Sequence, residues 1–217
     1  MSSTAESIES LVSRIKKIDH QSERRIIAIA GPPGAGKSTL AEALVRELNA
    51  ALPDEPAIVL PMDGFHYDNA ILDDRGLLAK KGAPETFDAD GFIALVRRLR
   101  TTSGSPVSNE IAVPVFDRTQ DLSRASARLI GRQHRLIVIE GNYLLLNRSP
   151  WSELAALFDL KIFIAPPLPV IEERLIQRWL DHGLDQSAAE LRARGNDLAN
   201  AAIVLNESLP ADIILGS

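Results

Sequence analysis

The sequence contains no cysteine. That absence excludes a disulfide framework, a cysteine-ligated zinc and a thiol nucleophile, and it fits a reducing compartment. Positive charge is not in excess either. The 24 Lys and Arg against 29 Asp and Glu leave a net charge of −5, which argues against a surface built to coat nucleic acid or an anionic membrane. No run approaches the ~18 consecutive apolar residues of a spanning helix. The opening stretch, MSSTAESIESLVSRIKK, is acidic before it is basic and does not read as a secretory signal. Repeats and low-complexity linkers are missing. These absences predict a soluble, cytoplasmic protein of one domain over 1–217, inserted in no membrane and bound to no nucleic acid. A chain of this length buries roughly 70% of its unfolded surface and needs no staples.

Hydrophobic patterning supplies the fold class. Ile8, Leu11, Val12, Ile15 and Ile18 form one helical stripe, an amphipathic helix within 1–20. IIAIA (26–30), AIVLPM (57–62), RLIVIE (135–140) and KIFIA (161–165) are β-branched runs suited to strands buried on both faces. EIAVPVF (110–116) reads as a further strand with Pro114 at an edge or end, and ADIIL (211–215) as a last one. Helical patterns fill the intervals, with Asp88 as N-cap of DGFIALVRRLR, a long helix over 168–182 and helical sequence through 186–205. The Ser/Gly/Pro/Asn cluster at 103–109 is a predicted loop, and 68–87 is polar, with a PETFD turn. Strands alternating with helices predict an α/β fold: a doubly wound parallel sheet of about five strands with flanking helices.

The residues 31–39, GPPGAGKST, fit G-x-x-x-x-G-K-[ST] between a strand and a helix. In such a loop the glycines let successive backbone N–H groups turn toward one centre, and Gly31, Pro32, Pro33, Gly34, Ala35, Gly36, Lys37, Ser38 and Thr39 form the cradle. The helix dipole adds positive potential, Lys37 can reach the β and γ oxygens, and the Ser38 hydroxyl can ligate Mg²⁺. The predicted ligand is a nucleoside triphosphate with its metal. No N-K-x-D tetrapeptide is present to read guanine. Asp63 follows the second buried strand and Glu140 ends the third. At the carboxyl ends of parallel strands both face the ligand crevice, where one carboxylate can take an acceptor proton and the other hold Mg²⁺ through water.

Charge is segregated along the chain. Residues 54–90 carry a net −6 and residues 92–135 a net +5. The first stretch contains Asp63, the second Arg118, a candidate to touch an anionic or polyhydroxylated acceptor. His66 and Tyr67 stand beside Asp63 as candidate acceptor contacts, as does Asn142 after Glu140. Trp151 and Trp179 read as core or interface residues.

The phosphate loop, MDGFH (62–66), PETFD (84–88), PVFDR (114–118) and IVIEGNYLL (137–145) recur in an order that resembles the uridine kinase, phosphoribulokinase and bacterial pantothenate kinase superfamily. Among its branches the bacterial fructose-transport-system kinases look most similar. The resemblance implies an ATP- and Mg²⁺-dependent kinase of a small hydroxyl-bearing metabolite, a sugar such as fructose, or else a nucleoside or pantothenate. A nucleotide-binding regulatory protein with little turnover is the reading from another class. The resemblance assigns Asp63 as catalytic base and Glu140 to the metal and acceptor. It also implies a lid over about 166–196 whose Arg174 and Arg178 close on the triphosphate. The chain departs from uridine kinases in reading D-G-F-H at 63–66 and R-T-Q-D at 118–121. GNDLANA (195–201) resembles a motif of the same branch without an assigned role. Monomer and homodimer both remain open.

Overall fold

The computed structural model describes residues 7–19, 23–101 and 110–216; the loop expected at 103–109 lies outside them. Helix α1 (Ile8–Ile18) is capped by the Ser7 hydroxyl, which accepts from the Ser10 N–H, and it buries Leu11 and Ile15. Past its end, the Asp19 carboxylate accepts three hydrogen bonds from Arg135, at 3.1, 3.2 and 3.1 Å. Strand β1 (Arg25–Ala30) leads through the glycine-rich loop into α2 (Lys37–Ala51). Strand β2 (Ala57–Pro61) leads into a 3₁₀ turn, Met62–Phe65. Helices α3 (Asn69–Asp74) and α4 (Ala89–Thr101) come next. Then come β3 (Glu110–Asp117), β4 (Leu122–Gly131), β5 (Leu136–Gly141) and β6 (Leu160–Ile164). Helices α5 (Leu168–Asp181), α6 (Gln186–Arg192) and α7 (Leu198–Glu207) precede β7 (Ile213–Leu215), with a π-helical turn, Ala193–Asp197, between α6 and α7.

Five strands form one sheet in the order β2-β5-β1-β6-β7, every pair parallel. Both faces are covered, so the strands are unbroken apolar runs whose alternate residues serve opposite cores. Ile26, Ala28 and Ala30 pack on one side with Leu60, Ile137, Phe92 and Trp151. Ile27 and Ile29 pack on the other with Val138, Leu44, Leu11 and Ile15. A third cluster, Ile171, Leu175, Ala193 and Ala201, gives α5 to α7 a small core of their own. The predicted doubly wound α/β fold is the observed one. Asp88 caps α4, its carboxylate accepting the Gly91 N–H at 2.9 Å.

Two elements differ from the sequence reading. The strand expected at 110–116 forms, but outside the parallel sheet, as half of an antiparallel ribbon with β4. The ladder slips between Val113 and Val115, where Pro114 has no N–H to offer. Its partner β4 was hidden because none of its first eight residues is buried, so no apolar alternation announces it. Helix α3 lay unseen in a polar stretch. It is six residues long and is held by the Asp68 carboxylate, which accepts from the Ala70 N–H at 2.9 Å.

Register brings the chemistry together. Glu140 pairs with Ile29 of β1 and with Pro61 of β2, so three strands end level and the turns leaving them share one edge of the sheet. The ribbon closes on that edge through Gly64, where a Cβ would stand 2.6 Å from the Pro114 carbonyl oxygen. Gly64→Ala is therefore expected to cost about 1–3 kcal/mol, since the backbone must shift. Gly195→Ala, where a Cβ meets nothing within 4 Å, is expected to stay within about 0.5 kcal/mol of the parent. Urea denaturation of both variants checks the contrast.

Candidate active site

The loop after β1 owes its shape to three glycines. Gly34 and Gly36 have φ of +78° and +94°, left-handed values that glycine adopts without steric cost. At Gly31 a Cβ would stand 2.5 Å from the Ile164 carbonyl oxygen of β6. Pro33, Gly34, Gly36, Lys37, Ser38 and Thr39 line a cavity of about 600 Å³. Gly31, Pro32 and Ala35 do not line it; they support the loop. The Pro32 carbonyl accepts from Lys37 Nζ at 2.8 Å and from the Ala35 N–H at 3.2 Å, and Ala35 is buried.

Across this cavity, Glu140 is only 6% exposed. Burial pushes its carboxyl up to about 7, reinforced by the Asp63 charge and opposed by Lys37, Arg118 and a hydrogen bond with Ser38. Burial also pulls the Lys37 ammonium down to about 8, against the carboxylates of Glu140 and Asp63. Among the described residues no group of three or more His, Cys, Asp or Glu can cage a metal. A buried carboxylate hydrogen-bonded to a hydroxyl suits instead a hard cation that keeps its waters and takes phosphate oxygens, as Mg²⁺ does.

A second cavity, about 620 Å³, lies beyond Asp63. The two share Pro33, Asp63, Phe116, Arg118, Asn142 and Arg178. Asp63 thus stands on their common wall, with Arg118 Nη2 3.6 Å from its Oδ2. The His66 ring packs between Phe87 and Phe116, with centroids 4.0 and 4.8 Å away. Burial lowers the pKa of His66 and so favours the neutral ring. Nδ1 lies 2.8 Å from the Asp63 carbonyl; a carbonyl only accepts, so Nδ1 carries the proton. That bond fixes the turn bearing Asp63.

Not every candidate converges here. Arg178 lines both cavities, but Arg174 lines neither. The Arg174 guanidinium donates to the Gly34 and Ala35 carbonyls at 3.3 and 3.4 Å, bracing the phosphate loop from outside. Tyr67 is also outside both cavities, and the Arg75 guanidinium covers its ring at 4.6 Å. Trp151 is a core residue as expected. Trp179 is not only that: it lines the larger cavity, and its Nε1 donates to Asp197 at 2.6 Å. Sequence reasoning missed Lys81, Phe87, Phe116, Asp197 and Asn200 as lining residues. Phe87 and Phe116 lie inside motifs already singled out, PETFD and PVFDR, and Asp197 and Asn200 inside GNDLANA.

Residues 26–185 match the model of the phosphoribulokinase / uridine kinase family. The chain belongs to that family. A Schizosaccharomyces pombe protein carrying the provisional name uridine kinase is 34% identical over 96% of this chain and 90% of its own length. A pantothenate kinase of Clavibacter sepedonicus is 34% identical over 64% of this chain and 43% of its own. The crystal structure of a protein from Silicibacter sp. TM1040, provisionally called a fructose transport system kinase, superposes with a TM-score of 0.87. The two are 44% identical over 96% of this chain and 98% of that one. The chain is accordingly a small-molecule kinase, a phosphotransferase with a hydroxyl acceptor.

In the nucleotide-free kinase the buried carboxyl of Glu140 has a consequence for folding. Its folded pKa, about 7, lies above the ordinary value of 4.5. The stability it contributes is complete below pH 4.5 and is lost as pH rises to about 7. Glu140→Gln removes that loss. Thermal denaturation from pH 4.5 to 8, without nucleotide or Mg²⁺, is expected to show the variant gaining on the parent as pH rises and levelling above 7. A constant difference across the range overturns the assignment.

Proposed function

We propose that this chain transfers the γ-phosphate of ATP, with Mg²⁺, to a hydroxyl of a small polyhydroxylated metabolite, a sugar such as fructose. The observation that carries this reading is the position of Asp63 on the wall shared by a phosphate-side cavity and a second cavity. A kinase needs a carboxylate at that boundary to align one alcohol with one phosphorus.

Lys37 and the N–H groups of the 31–39 loop hold the β and γ phosphates. Ser38 and Glu140 hold the metal, which when bound neutralises charge on the phosphate oxygens. Arg178 meets the charge that develops on the transferred group. The acceptor oxygen bonds to the γ-phosphorus as the bridging bond to ADP breaks, and the hydroxyl proton passes to Asp63. A carboxylate is in general a weak base for an alcohol. In a loose transition state the proton leaves late, so alignment matters more than basicity. Arg174 acts one step back, holding the loop by its carbonyls. His66 positions Asp63, and Asn142 and Arg118 contact the acceptor. The absence among the described residues of any helix long and apolar enough to cross a membrane is consistent with work in the cytoplasm.

ADP release is the assay, with D-fructose, other sugars, uridine and pantothenate as acceptors. A sugar is expected to stimulate it most. Lys37→Ala and Asp63→Asn are each expected to lower kcat at least ~10²–10³-fold while the melting temperature is kept. Wild-type turnover in Asp63→Asn would remove the base assignment. ATP binding without acceptor-stimulated ADP formation would favour a regulatory nucleotide-binding protein instead.

A further inference from the structure

The segment GNDLANA (195–201) has no part in the proposed phosphoryl transfer. It starts within the π-helical turn Ala193–Asp197, between α6 and α7. Such a turn re-aims the side chains beyond it, and π turns gather at functional sites. Here Asp197 and Asn200, three residues apart and so on one helix face, both line the larger cavity and neither lines the phosphate-side one. They are 6% and 5% exposed.

Asp197 Oδ2 accepts the Trp179 indole proton at 2.6 Å, and Arg178 Nη2 lies 4.0 Å from the same oxygen. Among the described residues nothing donates to Asp197 Oδ1 and nothing hydrogen-bonds the Asn200 amide, while no buried side-chain polar atom lacks a partner, so these atoms are open to the cavity. An amide that lines a cavity with no protein partner is free to hydrogen-bond whatever enters it. The segment is also anchored. Asn196 Nδ2 donates to the Lys81 carbonyl at 2.9 Å, tying the turn to the loop opposite, whose Gly82 carbonyl accepts from the Tyr143 hydroxyl at 2.6 Å.

The donor and acceptor inventory selects the ligand. A carboxylate oxygen only accepts, whereas an asparagine amide both donates and accepts. A hydroxyl satisfies both. An anionic group would be repelled by the Asp197 charge on the cavity wall. Three of the cations lining this cavity are already engaged, Arg178 with Asp197 as above, while Arg118 stands at the Asp63 wall. Lys81 binds Asn69 and Asp121 at 2.7 and 2.9 Å. Arg192 stacks on Trp179 at 5.1 Å and donates to the Ala79 carbonyl at 3.3 Å.

We propose that Asp197 and Asn200 determine acceptor specificity by binding the non-reacting hydroxyls of a neutral polyol. The proposal rests on the reading of the larger cavity as the acceptor site. Trp179 is a positioning residue in it, holding Asp197 through the indole proton.

The test is binding measured by saturation-transfer NMR, with Mg²⁺ and a non-hydrolysable ATP analogue present. The probes are D-fructose, glycerol, uridine and D-gluconate, the last a polyol that carries a carboxylate. Wild-type protein is expected to bind D-fructose in preference to D-gluconate. Asn200→Ala is expected to weaken D-fructose at least about ten-fold, and Asp197→Asn to cut the preference over D-gluconate at least about five-fold. Affinity for the ATP analogue and the melting temperature are expected to hold in both. Asn200→Ser, which keeps a hydrogen-bonding group, is expected to recover part of the loss, and it carries the test if the alanine variant does not fold. Unchanged polyol binding in both variants overturns the proposal, as does a wild type that binds only uridine or D-gluconate. If polyols bind with the expected pattern but ADP never forms, the specificity site stands and the kinase reading falls. If turnover is found with uridine alone, the kinase reading stands and this proposal falls.

Discussion

The cleft depends on one constraint, the burial of opposite charges where parallel strands end level. Lys37 and Glu140 are 7% and 6% exposed. Each ion gives up hydration on burial, and one left alone there would turn to its neutral form. Each is shifted toward neutrality by burial and drawn back by the other's field. The pair therefore stands ready for a ligand bearing both signs, a polyanionic phosphate chain and its divalent cation. A small rise in local charge of either sign changes which ionised form is favoured, so ligand and protonation are coupled by geometry that β1, β2 and β5 fix.

The negative net charge of the chain is no obstacle to a polyanionic substrate, because the site answers phosphate locally. The charge segregation along the sequence also has a spatial meaning. Asp63, from the acidic stretch, and Arg118, from the basic stretch, come within 3.6 Å. What brings them together is the β3–β4 ribbon, which packs its Pro114 carbonyl against Gly64 and carries Arg118 just past its first strand. Most of the remaining arginines in the basic stretch act structurally. Arg100 and Arg135, for example, hold Asp159 at 3.0 Å and Asp19 at 3.1 Å.

The parallel sheet was legible because strands buried on both faces carry their signal in every residue. The phosphate loop was legible because its function demands fixed residue types at fixed spacing. Asp63 and Glu140 were legible by position, as the first carboxylates at strand ends. The ribbon's second strand was not, since a strand exposed along most of its length has no hydrophobic period. The difference between Arg174 and Arg178 was equally hidden. Four residues apart, they share one helix face, and only the approach of α5 to the loop decides that one meets backbone carbonyls and the other a cavity. Trp179 illustrates a related limit. Its size predicts burial, but its indole proton decides which carboxylate it serves.

The two cavities are electrostatically unlike, and the difference comes from the groups on each side of Asp63. On the phosphate side, loop N–H groups, the start of α2 and Lys37 supply positive potential that Glu140 and Asp63 offset in part. On the far side, Asp121 and Asp197 engage Lys81, Trp179 and Arg178, leaving a wall of amides, aromatic rings and paired charges. The proposed reaction follows this difference, with a phosphate chain on the first side and a neutral group on the second. Asp63 and Arg118, exposed by 31% and 60% at their side chains, stand where the two environments meet. In the proposed reaction that boundary is where an alcohol entering from the second side is brought up to a phosphorus held on the first.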